Sequence, residues 1–331
     1  MQVHNLFFIS LAAPRKINMS TDRILANNTP SFEQLEVEWN KDEGTVWCYM
    51  NPRPRPCFNP HLLSEVIELK DRLTELGVTP AKLQERPHFA VFASRVPDIF
   101  NLGGDLGLFR RMIDSRDRLG LESYARACID ALYKVYTGYD LPLTTISLIQ
   151  GTALGGGMEG ALAANIIVAE RGVQMGLPEV LFNLFPGMGA YSFLSRRLGA
   201  NEAERVILSG KTWRTEELHE LGMIDILTEP GQGEAAVREY IANRQRRSPN
   251  TAMAMQRVRK TVNPVTYQEL EEIALIWVDT ALQLKERDLR IVDRLVRSQN
   301  RVCAQQPQQP AVVPTSTALS ISYERPGLAV H

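Results

Sequence analysis

The sequence predicts an α/β fold for most of its 331 residues. Apolar runs of strand length alternate along the chain with glycine-containing loops and helix-favouring segments; the clearest runs are Phe89–Ala93, Leu143–Ile149 and Ile166–Ala169. Strand–loop–helix units repeated in this order are typical of α/β proteins. Beyond about residue 200, apolar residues recur at helical spacing, so we expect the C-terminal region to be α-helical.

The chain before the first of these runs predicts a β-hairpin and a helix. Leu35–Trp39 alternates apolar and polar residues, and Thr45–Met50 is a second strand beyond a glycine-containing turn. Four closely spaced prolines then interrupt regular structure. Apolar residues at helical spacing predict a helix over 62–73, and a longer helix is predicted at about 121–137.

The C-terminal part of the sequence predicts helix followed by a disordered tail. Segment 265–300 carries several large apolar residues that could share one helix stripe: Leu270, Ile273, Ile276, Trp277, Leu284, Ile291 and Leu295. Residues 303–331 contain QQPQQP and only two acidic or basic side chains, a composition typical of disorder. We therefore divide the chain into an N-terminal extension (1–30), a core (31–250), a helical region (251–302) and a tail (303–331).

Composition and charge exclude several classes of protein. With 37 Lys and Arg against 38 Asp and Glu, the net charge of −1 gives no general attraction for nucleic acid. The four cysteines form no CxxC pair and the five histidines no ligand-spaced pair, so we expect neither a disulfide scaffold nor a metal. Leu6–Ala13 is apolar but short, with its basic residues on the wrong side for a secretory signal. We expect a cytoplasmic protein without a membrane span.

A glycine cluster follows the run Leu143–Ile149 directly. The segment Gly151–Gly160 has no Gly-Lys-Ser/Thr, so it is not a phosphate loop, and it lacks the usual dinucleotide-binding spacing. Two interpretations remain open from the residues alone. The glycines form a tight turn with close packing, or they expose backbone N–H groups at a helix N-terminus, where a carbonyl that becomes negatively charged would be stabilised.

Two glutamates near this cluster are candidates for acid/base chemistry. Glu159 lies two residues past the three consecutive glycines, and Glu179 follows in Gly176–Val180. Either glutamate alone is more often a surface cap or half of an ion pair. In apolar surroundings, desolvation and mutual repulsion can separate the pKa values of two carboxyl groups, which suits them to acid/base work. A helix N-terminus would oppose this at Glu159 by favouring its charged form. By contrast, Asp105 is more typical of a helix cap.

These motifs resemble those of a known family. In order and spacing, Leu102–Asp105, Gly151–Glu159 and Gly176–Glu179 are similar to the three marks of the crotonase, or enoyl-CoA hydratase/isomerase, superfamily. The resemblance covers roughly residues 30–300 and implies a core of repeated ββα units in a spiral. Three further stretches are similar to the diffusible signal factor synthases, bacterial enzymes that make cis-2-unsaturated fatty acid signals: Pro178–Phe182, Phe185–Ser192 and Ile276–Thr280.

The resemblance implies a reaction and a role for each site residue. The reaction is dehydration of a 3-hydroxyacyl thioester on acyl carrier protein to the cis-2-enoyl form, followed by hydrolysis to the free fatty acid. No cofactor or metal is implied. The roles are a backbone oxyanion hole at Gly103 and Gly156, a general acid/base pair formed by Glu159 and Glu179, and an apolar tunnel for the acyl chain lined by Met188 and Trp277.

Two other functions stay open, and the resemblance also implies partners. One alternative is an ordinary enoyl-CoA hydratase or isomerase of fatty acid metabolism, which would take CoA thioesters. The other is a regulatory protein that uses the crotonase scaffold only for binding, although the presence of both glutamates and both glycine sites argues against it.

As partners, the resemblance implies acyl carrier protein and a sensor histidine kinase, but neither nucleic acid nor membrane. It also implies a homotrimer or hexamer whose C-terminal helices cover the pocket and form the interface.

Overall fold

A computed structural model of the chain describes residues 32–75, 88–247 and 249–305. These ranges form a mixed α/β structure with two sheets and eleven α-helices, as the sequence predicts. The predicted extension 1–30 lies outside the described residues. So does most of the predicted tail, but its first residues are helical, because the last helix continues to Gln305.

Ten strands form the two sheets. In chain order they are β1 (Leu35–Asn40), β2 (Thr45–Met50), β3 (His88–Ser94), β4 (Ile99–Asn101), β5 (Leu143–Ile149), β6 (Thr152–Leu154), β7 (Ile166–Glu170), β8 (Gln174–Gly176), β9 (Thr212–Arg214) and β10 (Ile226–Thr228). The large sheet has the order β1-β2-β3-β5-β7-β10, and its β1–β2 hairpin is antiparallel while the other pairs are parallel. The small sheet has the order β4-β6-β8-β9. The predicted hairpin and the three predicted strands are therefore confirmed.

Helices connect and cover these strands. They are α1 (Pro60–Glu75), α2 (Leu106–Asp114), α3 (Arg118–Thr137), α4 (Gly156–Ala163), α5 (Ala190–Leu198), α6 (Ala200–Ser209), α7 (Thr215–Glu220), α8 (Gly233–Arg247), α9 (Pro249–Val262), α10 (Tyr267–Ala281) and α11 (Glu286–Gln305). A short 3-10 helix spans Pro178–Phe182. In the part of the chain described, none of these helices is long and apolar enough to cross a membrane.

The core is a ββα unit that occurs three times. Each unit pairs one strand of the large sheet with one of the small sheet and continues into a helix: β3-β4-α2, β5-β6-α4, and β7-β8 followed by the 3-10 helix and α5. Because β4, β6 and β8 are neighbours in one sheet, the segments that follow them lie side by side. The resemblance predicted this repeated ββα core, and the structure shows it.

Both faces of the large sheet are buried, which explains its continuous apolar strands. In β2, Val46 and Cys48 face the main core with α1 and α3, whereas Trp47 faces a second cluster with Val237 of α8. Alternating residues of a strand point to opposite faces. A strand sandwiched between two helical layers therefore needs an apolar residue at nearly every position.

The C-terminal segment differs from the single stripe that the sequence suggested. It forms two helices, α10 and α11, separated by residues 282–285. In α10, Leu270 and Val278 are fully buried, but Ile276 is 57% exposed. At about 100° per residue, Ile276 stands roughly 240° around the helix from Leu270 and so faces away from the core. The prediction that Ile276 shares the apolar stripe is therefore wrong.

Candidate active site

A mostly apolar cavity lies where the three ββα units meet. Its walls include Glu159 and Glu179 together with apolar and aromatic side chains from α2, α3, α10 and the 3-10 helix. Three other predicted site residues, Gly156, Met188 and Trp277, also line it. A concave apolar pocket with a few convergent polar groups is the usual form of a ligand site.

Glu159 is held at the N-terminal end of α4. It is only 1% exposed, and its Oε1 accepts hydrogen bonds from the backbone N–H groups of Met188 at 2.7 Å and Ala190 at 2.9 Å. Burial raises the pKa of Glu159 to about 7, while the two N–H donors act in the opposite direction. The helix N-terminus was expected to favour the charged form of Glu159, but desolvation is the larger effect.

Glu179 enters the cavity from the 3-10 helix after β8. Its Oε2 is buried and has no hydrogen-bond partner among the described residues. Burial, followed by the nearby charge of Glu159, raises the pKa of Glu179 to about 8. Gly155 makes room for this carboxylate: a Cβ there would lie 2.5 Å from Glu179 Oε1, and the φ of +54° also favours glycine.

The two carboxyl groups behave as a pair. Because each ionised carboxylate disfavours ionisation of the other, the protons leave in two steps that belong to the pair. Both pKa values lie near neutral pH, so one carboxyl can be protonated while the other is ionised. That combination provides a general acid and a general base in the same site.

The loop Leu102–Asp105 crosses the cavity wall next to the start of α4. Most of its backbone polar groups have partners within the chain: Leu102 N–H donates to Pro56 O (2.8 Å), Gly103 N–H to Asn101 Oδ1 (2.8 Å) and Asp105 N–H to Tyr124 Oη (2.8 Å), and Gly103 O accepts from Phe58 N–H (2.7 Å). Within the described part of the chain, the remaining N–H group, that of Gly104, has no acceptor. Gly104 also lines the cavity.

The structure does not place Gly103 where an oxyanion donor would have to lie. The sequence prediction named Gly103, but its N–H is already used by Asn101 and Gly103 does not line the cavity. Gly103 instead has a φ of +90°, and a Cβ there would lie 2.9 Å from Leu154 O and 3.0 Å from Gly156 N. It therefore lets the loop pack closely against α4. Gly104 and Gly156 are the glycines that face the cavity.

Met188 and Trp277 occupy the apolar side of the cavity. The sulfur of Met188 lies 2.5 Å from the position that a Cβ of Gly156 would take, so this side chain packs directly on the start of α4. The Trp277 ring packs against Gly187 and against Phe109, with ring centroids 5.2 Å apart. Both residues thus line the pocket.

Sequence reasoning missed several residues around the cavity. Tyr124 and Cys128 of α3 line it, as does Phe109 of α2. Their helical spacing is typical of residues in a hydrophobic core, and nothing in the sequence distinguishes a core position from a cavity wall.

Asp105 acts as predicted and stays out of the cavity lining. It caps α2 by accepting from Leu108 N–H at 3.0 Å, and it pairs with Arg55 Nη2 at 2.6 and 2.8 Å. Over the described ranges, no cluster of His, Cys, Asp and Glu side chains could hold a metal ion.

Comparison with known proteins points to one family. A family model described as enoyl-CoA hydratase/isomerase matches residues 72–304. The human mitochondrial methylglutaconyl-CoA hydratase is 31% identical over 194 residues, which cover 58% of this chain and 55% of that protein. The mouse protein of the same name is 31% identical over 193 residues, covering 58% and 59% of the two chains. The match thus spans little more than half the length of these relatives.

Several solved structures share the fold. An enoyl-CoA hydratase from Bacillus halodurans has a TM-score of 0.66 at 19% identity and covers 80% of this chain and 100% of its own. Human mitochondrial delta3-delta2-enoyl-CoA isomerase has a TM-score of 0.66 at 16% identity, covering 81% and 99%. DspI from Pseudomonas aeruginosa has a TM-score of 0.60 at 24% identity, covering 82% and 98%. At these identities the similarity concerns the fold.

Proposed function

Because the chain belongs to the enoyl-CoA hydratase/isomerase family, we propose that it works on an acyl thioester and produces a fatty acid signal of the diffusible signal factor type. In this proposal a 3-hydroxyacyl thioester on acyl carrier protein is dehydrated to the cis-2-enoyl thioester and then hydrolysed to the free acid. The observation that carries it is the pair Glu159 and Glu179, two desolvated carboxyl groups in one cavity that Gly104 and Gly156 also line. The three stretches similar to diffusible signal factor synthases support this particular substrate and product.

The dehydration step follows from these groups. The thioester oxygen accepts hydrogen bonds from the N–H groups of Gly104 and Gly156, so negative charge on that oxygen is stabilised and the adjacent C–H becomes more acidic. One glutamate, ionised, takes the proton from this carbon. The other, protonated, gives its proton to the 3-hydroxyl group, which leaves as water while the carbon–carbon double bond forms. A donor of this kind contributes about 2.7–4 kcal/mol and a positioned acid or base about 10²–10⁴-fold in rate.

Hydrolysis can use the same groups. An ionised glutamate removes a proton from water, whose oxygen attacks the thioester carbon, and the oxyanion is again held by the two N–H groups. When the carbon–sulfur bond breaks, the carrier thiol leaves with a proton and the free fatty acid is released. The acyl chain lies against apolar side chains, among them Met188, Trp277 and Phe109.

An ordinary enoyl-CoA hydratase or isomerase is the second candidate. The family model and the names of the mitochondrial relatives favour it, because both refer to CoA thioesters. The same two carboxyl groups would then add water to a 2-enoyl thioester or move its double bond.

A purely binding protein is disfavoured, since nothing in binding alone requires two desolvated carboxyl groups with raised pKa values.

The experiment compares carriers with the same acyl group. Purified protein is incubated with 3-hydroxydodecanoyl thioesters of acyl carrier protein and of CoA, and the products are identified by mass spectrometry. We expect free cis-2-dodecenoic acid, formed faster from the carrier protein. Turnover of the CoA thioester alone, without free acid, would favour the second candidate. Formation of neither cis-2-enoic acid nor free 3-hydroxy acid would reject the proposal.

Variants of the two glutamates test the mechanism. Glu159→Ala and Glu179→Ala are each expected to abolish dehydration while the far-UV circular dichroism stays that of wild type. Glu204→Ala, at an exposed position on α6, serves as the matched control and should keep full activity. Near-wild-type turnover in either active-site variant would remove that residue from the mechanism.

A further inference from the structure

The last helix of the described chain reaches the oxyanion loop, by which we mean residues Leu102–Asp105. On α11, Gln299 is 4% exposed, and its Nε2 donates to Leu102 O at 3.1 Å and to Gly104 O at 3.3 Å. These contacts join positions almost 200 residues apart in sequence. We infer that Gln299 is a positioning residue of the reaction, which fixes the oxyanion loop so that its free N–H points into the cavity. This inference rests on the proposed role of that N–H as an oxyanion donor.

Three successive carbonyl groups of the loop are held in place. Gln299 binds the first and the third, and Phe58 N–H binds the second, Gly103 O, at 2.7 Å. A peptide group is planar, with its C=O and N–H pointing in opposite directions. Holding Gly103 O toward Phe58 therefore directs the Gly104 N–H the other way. The Gln299 amide fixes the peptide groups on both sides of that one.

Glycine makes this support necessary. Two of the four loop residues are glycines, and Gly103 has a φ of +90°, so the local chain has few steric restraints of its own. An oxyanion donor is effective when it is oriented before the reaction begins, since no energy is then spent on turning it. Tyr124 Oη supports the other end of the loop by accepting from Asp105 N–H and donating to Phe58 O at 2.6 Å. From α11, the Gln299 amide supports the loop through Leu102 O and Gly104 O.

The chain offers a matched set of variants. Gln299→Met keeps the length and volume of the side chain but removes its N–H donors. Gln299→Asn keeps an amide with a shorter reach. Ser298→Ala changes the adjacent, exposed residue on the same helix and is the control. Each variant is compared with wild type by near-UV circular dichroism and thermal unfolding, so that loss of fold is separated from loss of positioning.

Kinetics distinguish positioning from substrate binding. With crotonyl-CoA and with the 3-hydroxydodecanoyl carrier-protein thioester as probes, Gln299→Met should lower kcat by about 10- to 100-fold, less than the ~10²–10³ of losing an oxyanion donor outright. The KM should stay within about twofold, because the donor acts mainly on the charged transition state. Gln299→Asn should fall between Gln299→Met and wild type, and Ser298→Ala should match wild type.

A spectroscopic measurement does not depend on turnover. Crotonyl-CoA labelled with ¹³C at the thioester carbonyl is bound to each protein, and its C=O stretch is recorded by isotope-edited infrared spectroscopy. A well-oriented donor polarises the carbonyl and lowers this frequency, so the wild type should show a larger shift than Gln299→Met. Equal shifts would overturn the inference, as would a Gln299→Met variant with unchanged kcat or with a raised KM alone.

The two proposals fail in different ways. If wild type forms no cis-2-enoic acid but the C=O shift still depends on Gln299, the proposed function falls and the positioning role stands. If wild type is active, Glu159→Ala is inactive and Gln299→Met equals wild type in both measurements, then only the positioning role is rejected. If Gln299→Met does not fold, the folded Gln299→Asn variant decides by the same kinetic and infrared comparison.

Discussion

Replacing Glu179 by glutamine should make the protein more stable at high pH, by an amount that grows as pH rises. The pKa of Glu179 is about 8 in the folded chain, against an ordinary value of 4.5. A carboxyl group whose pKa rises on folding holds its proton more tightly in the folded state. The favourable contribution of Glu179 to the free energy of unfolding is therefore complete below the ordinary pKa, and it is lost as the pH rises from about 4.5 through about 8.

The size of the effect follows from the two pKa values. The difference between 8 and 4.5, at about 1.36 kcal/mol per pKa unit, corresponds to a loss on the order of 5 kcal/mol by about pH 9. This is large beside a typical unfolding free energy of about 5–15 kcal/mol. Glutamine carries no charge at any pH, and Glu179 Oε2 has no hydrogen-bond partner in the described chain that the substitution would break. The variant should thus escape the loss.

Urea unfolding at several pH values tests this expectation. The free energy of unfolding of wild type and Glu179→Gln is measured from about pH 5 to about pH 9, with the exposed residue change Glu204→Gln as control. The difference between Glu179→Gln and wild type should be small at the acid end and several kcal/mol at the alkaline end. A difference that stays constant with pH would show that Glu179 is not desolvated as the structure indicates.

Three further predictions concern activity. The pH profile of kcat/KM should be bell-shaped, with its maximum between the two pKa values of about 7 and about 8, because one carboxyl must be protonated and the other ionised. A profile that is flat from about pH 6 to about pH 9 would show that the reaction does not need one protonated and one ionised carboxyl. Gly155→Ala should abolish activity, because the added Cβ would meet the Glu179 carboxylate. The control is Gly172→Ala: Gly172 also has a positive φ, but an added Cβ there would have nothing within 4 Å, so this variant should lose stability and keep its activity. Equal loss of activity in both variants would argue against a specific displacement of Glu179. Tyr124→Phe should lower kcat and cost about 1–3 kcal/mol for each buried backbone group left unpaired, while Tyr133→Phe should change neither kcat nor the unfolding midpoint by more than a small amount.

The large sheet and the two glutamates of the cavity could be predicted because their signals are local. The strand Leu143–Ile149 was predicted with its observed ends, since a strand buried on both faces reads as one continuous apolar run. Glu159 could be placed at the start of a helix from the glycines before it. A motif pattern links Glu159 to Glu179, but only the fold shows that both line one cavity.

The small sheet and the loop contacts could not be predicted for the opposite reason. Strands such as Thr152–Leu154 have three residues, too few to show a period, and this one lies within the glycine cluster. The choice between Gly103 and Gly104 depends on which N–H is already bonded. The N–H of Gly103 is bonded to Asn101 Oδ1, two residues before it, and Phe58, distant in sequence, binds the carbonyl of Gly103. Nothing in the sequence around Gln299 indicates its contact with a loop almost 200 residues away.

The small sheet has a consequence for how the active protein forms. Gly104 follows β4, Gly156 follows β6 and Glu179 follows β8, each two or three residues after its strand. Adjacent strands lie about 4.8 Å apart, so the pairing of these short strands sets the spacing of the groups that would meet the substrate. Contacts between segments distant in sequence form slowly. The hairpin and helices can therefore be native while the protein is still inactive, and recovery of activity on refolding reports the closing of this sheet.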